Sequence, residues 1–159
     1  MQVFDASSMI YAWDNYPILQ FPGLWEWIAT KLDGELLVMP SVAYEEVANK
    51  APDCGKWLAD NNVKKLEVTN AILRFSMRIK NLPGIIGDSY HSKGVGENDI
   101  FIIATACNHQ AELVSNEGRQ KLPDIPAKMK IPAVCALKDV DIPCINFIEY
   151  IKRSEKVFR

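Results

Sequence analysis

Four acidic residues stand where their carboxylates could work together: Asp5 in "VFDASS", Glu46 in "SVAYEEV", Asp99 in "GENDIFIIATA" and Glu117 in "LVSNE". Asp5 and Glu117 follow apolar runs of strand length, while Glu46 and Asp99 lie near the starts of helical patterns, where the dipole favours an anion at Asp99. Parallel α/β sheets collect such residues just beyond the carboxyl ends of their strands. Carboxylates gathered with no lysine or arginine beside them repel one another, and a hard divalent cation is the usual remedy. Mg²⁺ or Mn²⁺ held this way would acidify a bound water, orient a phosphate and neutralise charge developing on it, which is the chemistry of phosphodiester hydrolysis. Each acid also has a purely structural role open to it: Asp5 as a turn former, Glu46 as a solvated helix residue, Asp99 as a helix cap, Glu117 as a loop acid.

The elements that must position these acids are legible in outline. Gln2 to Phe4 read as a short buried strand ending at Asp5, with "ASS" beginning a turn. Trp25, Ile28, Ala29 and Leu32 fall at helical spacing, so a helix runs from near Gly23 to before Gly34. "ELLVM" is a continuous apolar run fit for a strand covered on both faces, and Ser41 after it can cap a helix through its hydroxyl. Ala43, Glu46, Val47 and Lys50 share one side of that helix, which favours Glu46 over its neighbour Glu45 as the inward acid. "CGKWLADNN" reads as a helix, "VKKLEV" as a strand and "NAILRFSMRIKN" as a helix with Ile72, Phe75, Ser76 and Ile79 on one face. A glycine-containing loop then leads to a helix over "NDIFIIATACNHQA", with Glu97 the neighbour to be distinguished from Asp99. "AELVSNEG" is a strand ending in a polar turn, the proline-rich stretch after it allows a turn or two of helix at "AVCAL", and "CINFIEYIKRSEK" closes with a strand and a helix. Strands alternating with helices predict an α/β domain with a mainly parallel sheet.

Composition narrows the function classes. The 159 residues, 48% apolar and 24% charged, suffice for one sizeable core and contain no linker-like stretch, so a single domain over 1–159 is expected. A carboxylate interrupts the opening apolar run too early for a secretion signal, and no run is long enough to span a bilayer. Cys54, Cys107, Cys135 and Cys144 form no CxxC pair and read as reduced thiols of a cytoplasmic protein. A net charge of −2 argues against a generally basic nucleic-acid binder while leaving room for a local basic patch.

The ordered set "VFDASSMI", "PSVAYEEV", "ENDIFIIATA" and "LVSNE" resembles the four-segment acidic signature of the PIN-domain ribonuclease superfamily. With "YPILQFPGLWEWI" near the start and "KMKIPAVC" and "IPCINFIEYI" near the end, the chain as a whole is similar to a bacterial branch of PIN-like proteins classed as a domain of unknown function and regarded as VapC-like toxins. The resemblance implies a three-layer α/β/α sandwich around a parallel sheet and an Mg²⁺- or Mn²⁺-dependent ribonuclease held inactive by a cognate antitoxin. Homodimerisation is compatible with it. Asp5 matches the first-strand aspartate, Glu46 the helix glutamate, Asp99 the acid opening the fourth-segment helix and Glu117 the last acid, where the wider superfamily often has aspartate. Carried over, Asp5 and Asp99 bind the metal most directly, and Glu46 and Glu117 complete its shell or orient the attacking water.

Other residues bear on this expectation. Ser7 and Ser8 can donate hydrogen bonds to a carboxylate or phosphate, or cap the turn, and Ser115 and Asn116 have the same two readings. RNA needs positive charge, for which Arg119 and Lys121 qualify by proximity to Glu117, ahead of Lys128, Lys130, Arg74, Arg78 and Lys80. A metal-free ribonuclease would need His91 and His109 in one site. Trp25 reads as core more readily than as a base-stacking platform. Two other functions compete: a non-catalytic PIN-like protein-binding module, and a metal-dependent phosphatase or phosphoreceiver. The phosphatase wants a second aspartate where Ser7 stands.

Overall fold

Local apolar runs decide the strands and, with their pairing, the architecture. The structure, a computed structural model, describes residues 1–118 and 123–159. Strands β1 (Gln2–Phe4), β2 (Leu37–Pro40), β3 (Lys64–Leu66), β4 (Glu112–Val114) and β5 (Cys144–Ile145) form one sheet in the order β3-β2-β1-β4-β5, every pairing parallel. Successive strand residues face opposite sides. Val3 and Phe4 are both fully buried, as are Leu37, Val38 and Met39, so helices cover both faces and the molecule is a three-layer α/β/α sandwich. Phe4 meets Phe147 and Tyr150 edge-on, with centroids 6.4 and 5.0 Å away. Elsewhere in the core Trp25 lies at the centre of a cluster, 5.2 Å from Trp13 and 4.9 Å from Trp57, with its indole N–H donating to the Tyr16 carbonyl. That environment settles Trp25 as a core residue.

The helices are α1 (Ala6–Asn15), α2 (Pro22–Asp33), α3 (Ser41–Lys50), α4 (Pro52–Asp60), α5 (Asn70–Asn81), α6 (Glu97–Asn108), α7 (Ile131–Cys135) and α8 (Phe147–Ser154), with a 3₁₀ turn at Pro126–Lys128. Two local expectations are corrected. No turn follows Asp5: α1 starts at once with Ala6, burying Ala6, Ser8, Met9 and Ala12. Ser41 does not cap α3, because β2 runs through Pro40 and Ser41 is already the first helical residue. Among the described residues no helix is long and apolar enough to cross a membrane. All four cysteines are free, yet three converge: the neighbouring Cys144 thiol, then burial and Cys107, hold the Cys135 thiol far above its usual pKa.

The chain order places a site. From β1 it proceeds outward to β2 and β3, then returns to the other side of β1 for β4 and β5. The reversal therefore lies between β1 and β4, whose last residues Phe4 and Val114 are paired in register. Beyond that pair, at the switch point of the sheet, stand Asp5 and Ser115.

Candidate active site

Asp5 is only 2% exposed, and its carboxylate is held at once from helix α1 and from the residue after β4. Its Oδ2 accepts hydrogen bonds from the Ser7 hydroxyl at 2.6 Å and the Ser115 hydroxyl at 2.8 Å, while its backbone N–H donates to the Val114 carbonyl. The Ser8 hydroxyl lies within donating distance of the Asp5 and Val114 carbonyls, tying α1 to β4. Occupied in this way, the Asp5 side chain makes no cap on α1 although it occupies the N-cap position. Burial pushes its carboxyl pKa up, the two serine hydroxyls oppose that, and Glu46 adds repulsion. Ser115→Ala should therefore cost about 1–2 kcal/mol of unfolding free energy in denaturant melts. A change under about 0.5 kcal/mol would mean that Ser7 alone holds Asp5.

Each of the other acids is fixed by its own element. Asp99 occupies the third position of α6, where its Oδ2 accepts from the Gly96 N–H at 2.9 Å. The approach to that helix depends on Gly94, whose missing Cβ would lie 1.9 Å from the Ala127 carbonyl oxygen, and on the Val95 N–H donating to Met129. Burial first, then Asp5 and Glu46, push the Asp99 carboxyl up to about 6. Glu117 follows β4, and its Oε2 accepts from the Ile131 N–H at 3.0 Å. Burial first, then Asp99 and Asp5, raise it to about 7. Glu46 faces the same space from α3, whereas Glu45 and Glu97 are exposed.

All four acids thus line one cavity of about 480 Å³, together with Ser7, Tyr11, Asp14, Lys50 and Asn116. Three of these linings, Tyr11, Asp14 and Lys50, were not anticipated. Ser7, Ile10, Tyr11 and Asp14 are spaced i, i+3, i+4 and i+7 and form one face of α1, a signal lost once "ASS" was read as a turn. Lys50 overturns the expectation of carboxylates without a cation beside them. One helical turn after Glu46, its ammonium pairs with Glu46 Oε1, and its pKa is raised by that bond and by Asp5 and Asp99. Asn116 bridges: its N–H donates to Ser7 Oγ, and its Oδ1 accepts from the Phe147 N–H at the start of α8. Arg119 and Lys121 lie outside the described residues. His91 sits in the loop before α6, accepting from the Lys93 N–H, whereas His109 follows the far end of that helix. A roomier cavity of about 620 Å³ lies where residues 139–143 approach β5, lined by Phe75, Ile79, Leu82 and Val140 without the converging acids.

The donor set suits a hard divalent cation in its chemistry: the donors are carboxylate oxygens, and burial with mutual repulsion raises three of them in a way that a bound cation would relieve. As placed, no three His, Cys, Asp or Glu side chains among the described residues are grouped closely enough to hold a metal. Asp5 is turned to its serines, Glu46 to Lys50 and Glu117 to Ile131.

Comparison with known proteins agrees with this architecture. The family model described as "Domain of unknown function (DUF4411)" matches residues 2–158, and the chain belongs to that family. No curated protein matches it. Among solved structures, a chain of VapBC2 from Rickettsia felis, in a crystal structure bound to a DNA fragment from their promoter, superimposes with a TM-score of 0.50 at 16% sequence identity. The match covers 81% of this chain and 96% of that one, and the likeness is one of fold, a PIN-like α/β sandwich.

Proposed function

We propose that this DUF4411 chain is a metal-dependent endoribonuclease of the VapC-like toxin type. In this reading residues 1–159 form one PIN-like domain that works in the cytoplasm, and a cognate antitoxin protein restrains it. The observation that carries the proposal is the meeting of Asp5, Glu46, Asp99 and Glu117, from four separate elements, in one cleft at the switch point of a PIN-like sheet. The resemblance of the four acidic segments to the superfamily's signature and the fold likeness to VapBC2 support it.

Asp5 and Asp99 would hold Mg²⁺ or Mn²⁺, with Glu46 and Glu117 completing the set. When bound, such a cation supplies an acidified water and stabilises charge on the phosphate. The chain's own residues do the positioning. Ser7 and Ser115 fix Asp5 Oδ2 and so the direction of its second oxygen. The Gly96 N–H fixes Asp99, and the α7 N–H group of Ile131 steadies Glu117. Glu46, held by Lys50, would with Glu117 complete the cation's shell or orient the attacking water. A phosphatase is disfavoured by Ser7, which stands where a second aspartate would act and is bonded to Asp5 instead.

The test is cleavage of single-stranded RNA by the purified chain. Cleavage should require Mg²⁺ or Mn²⁺, stop with EDTA and return with excess Mn²⁺. Cleavage indifferent to chelation, or none under any of these conditions, would refute the proposal.

A further inference from the structure

Lys50 has a place that a simple surface ion pair does not require. Among the described residues it is the one cation lining a cleft that also presents Asp5, Asp14, Glu46, Asp99 and Glu117. It lines a second cavity as well, of about 530 Å³, whose wall includes Ser41, Asn49, Lys65 and Asn98 together with the acids Glu45 and Glu67. Glu46 and Lys50 belong to both, so the pair forms the ridge over which one cavity opens into the other.

Charge makes that position consequential. A phosphodiester entering this cleft meets five acidic side chains, and even a divalent cation offsets only part of the charge they carry when ionised. The Lys50 ammonium has three donors, and among the described residues only Glu46 takes one of them. Its side chain is 64% exposed, and an exposed i, i+4 pair binds weakly, so the ammonium can serve Glu46 and a phosphate together. Asn49 and Asn98 beyond the ridge offer amides to sugar or base edges, and Lys65, resting over the Tyr44 ring, offers a further cation.

Building on the ribonuclease reading, we propose that Lys50 is a substrate-binding residue: it grips a backbone phosphate of single-stranded RNA where the strand crosses from the acidic cleft into the Asn49–Asn98 cavity.

The experiment uses the full chain with Asp5→Asn to prevent cleavage, a fluorescein-labelled single-stranded RNA and a series of KCl concentrations. Lys50→Met should weaken binding roughly fivefold and flatten the slope of log affinity against log salt by about 0.7, the signature of one lost phosphate contact on a single strand. Lys50→Arg should keep the slope. Lys56→Met makes the same change of charge on α4, where Lys56 pairs with Asp60 away from the cleft, and should also keep it. In the cleaving chain, Lys50→Met should raise KM with a smaller change in kcat. Thermal melts check folding, and Lys50→Gln serves if the methionine variant fails to fold. An unchanged slope for Lys50→Met, where the Asp5→Asn chain binds RNA and the unsubstituted chain cleaves it, overturns this inference alone. A parent that neither binds nor cleaves RNA overturns the ribonuclease reading and this inference with it.

Discussion

Asp5→Asn should lower kcat/KM for RNA cleavage on the order of 10³-fold while leaving the fold intact. The asparagine Oδ1 can accept from the Ser7 and Ser115 hydroxyls as the aspartate does now, so the substitution preserves shape and anchoring. It removes a buried charge whose ionised form the surroundings already disfavour, through burial first and Glu46 after it. The metal-free variant should therefore melt no lower than the parent at pH 8. Lost activity with unchanged or improved melting identifies Asp5 as functional. Parallel loss of both would assign it a structural role, and retained activity would remove it from the mechanism.

The second large effect is on stability against pH. Asp99 and Glu117 keep their protons up to about 6 and about 7 in the folded chain. In the unfolded chain both ionise near pH 4, roughly their ordinary value. Between these limits the folded state binds more protons than the unfolded one, so the stability these two groups contribute is greatest at low pH, falls as pH rises through 6 and 7, and levels off above. With allowance for partial solvent screening the two groups together amount to about 4 kcal/mol. For a chain of this length that corresponds to roughly 10 °C in Tm. Metal-free protein should thus melt lower at pH 8 than at pH 5, and Asp99→Asn with Glu117→Gln should remove most of that difference. Mn²⁺ should raise Tm at pH 8 and have little effect at pH 5, where protons compete for the carboxylates. An equal pH-dependent drop in the double variant would exclude these two acids as its source.

These outcomes depend on features of unequal legibility in the sequence. The continuous apolar run before Pro40 could only be a strand buried on both faces, and α5 was readable end to end from the spacing of Ile72, Phe75, Ser76 and Ile79. The helix α1 was missed because two serines after an aspartate mimic a turn, although Ala6, Met9 and Ala12 already carried its buried stripe. With α1 went Tyr11 and Asp14 as cleft residues. Lys50 was read as part of the inward side of α3 but not as the cation of the cleft, since an i, i+4 neighbour of Glu46 is as often merely solvated. Cys107, Cys135 and Cys144 gave no local sign of their meeting.

By itself the sequence determined, α1 excepted, which main segments become strands and helices, which acids lie at their ends, and that Glu46 shares a helix side with Ala43 and Val47. These are local matters of periodicity and of where an apolar run stops. Only the tertiary structure decided that β4 returns to the free side of β1, bringing the Ser115 hydroxyl onto Asp5 across 110 positions of chain and the Ile131 N–H onto Glu117. Strand order follows from burying both sheet faces at once, a property of the whole core that no window of residues contains.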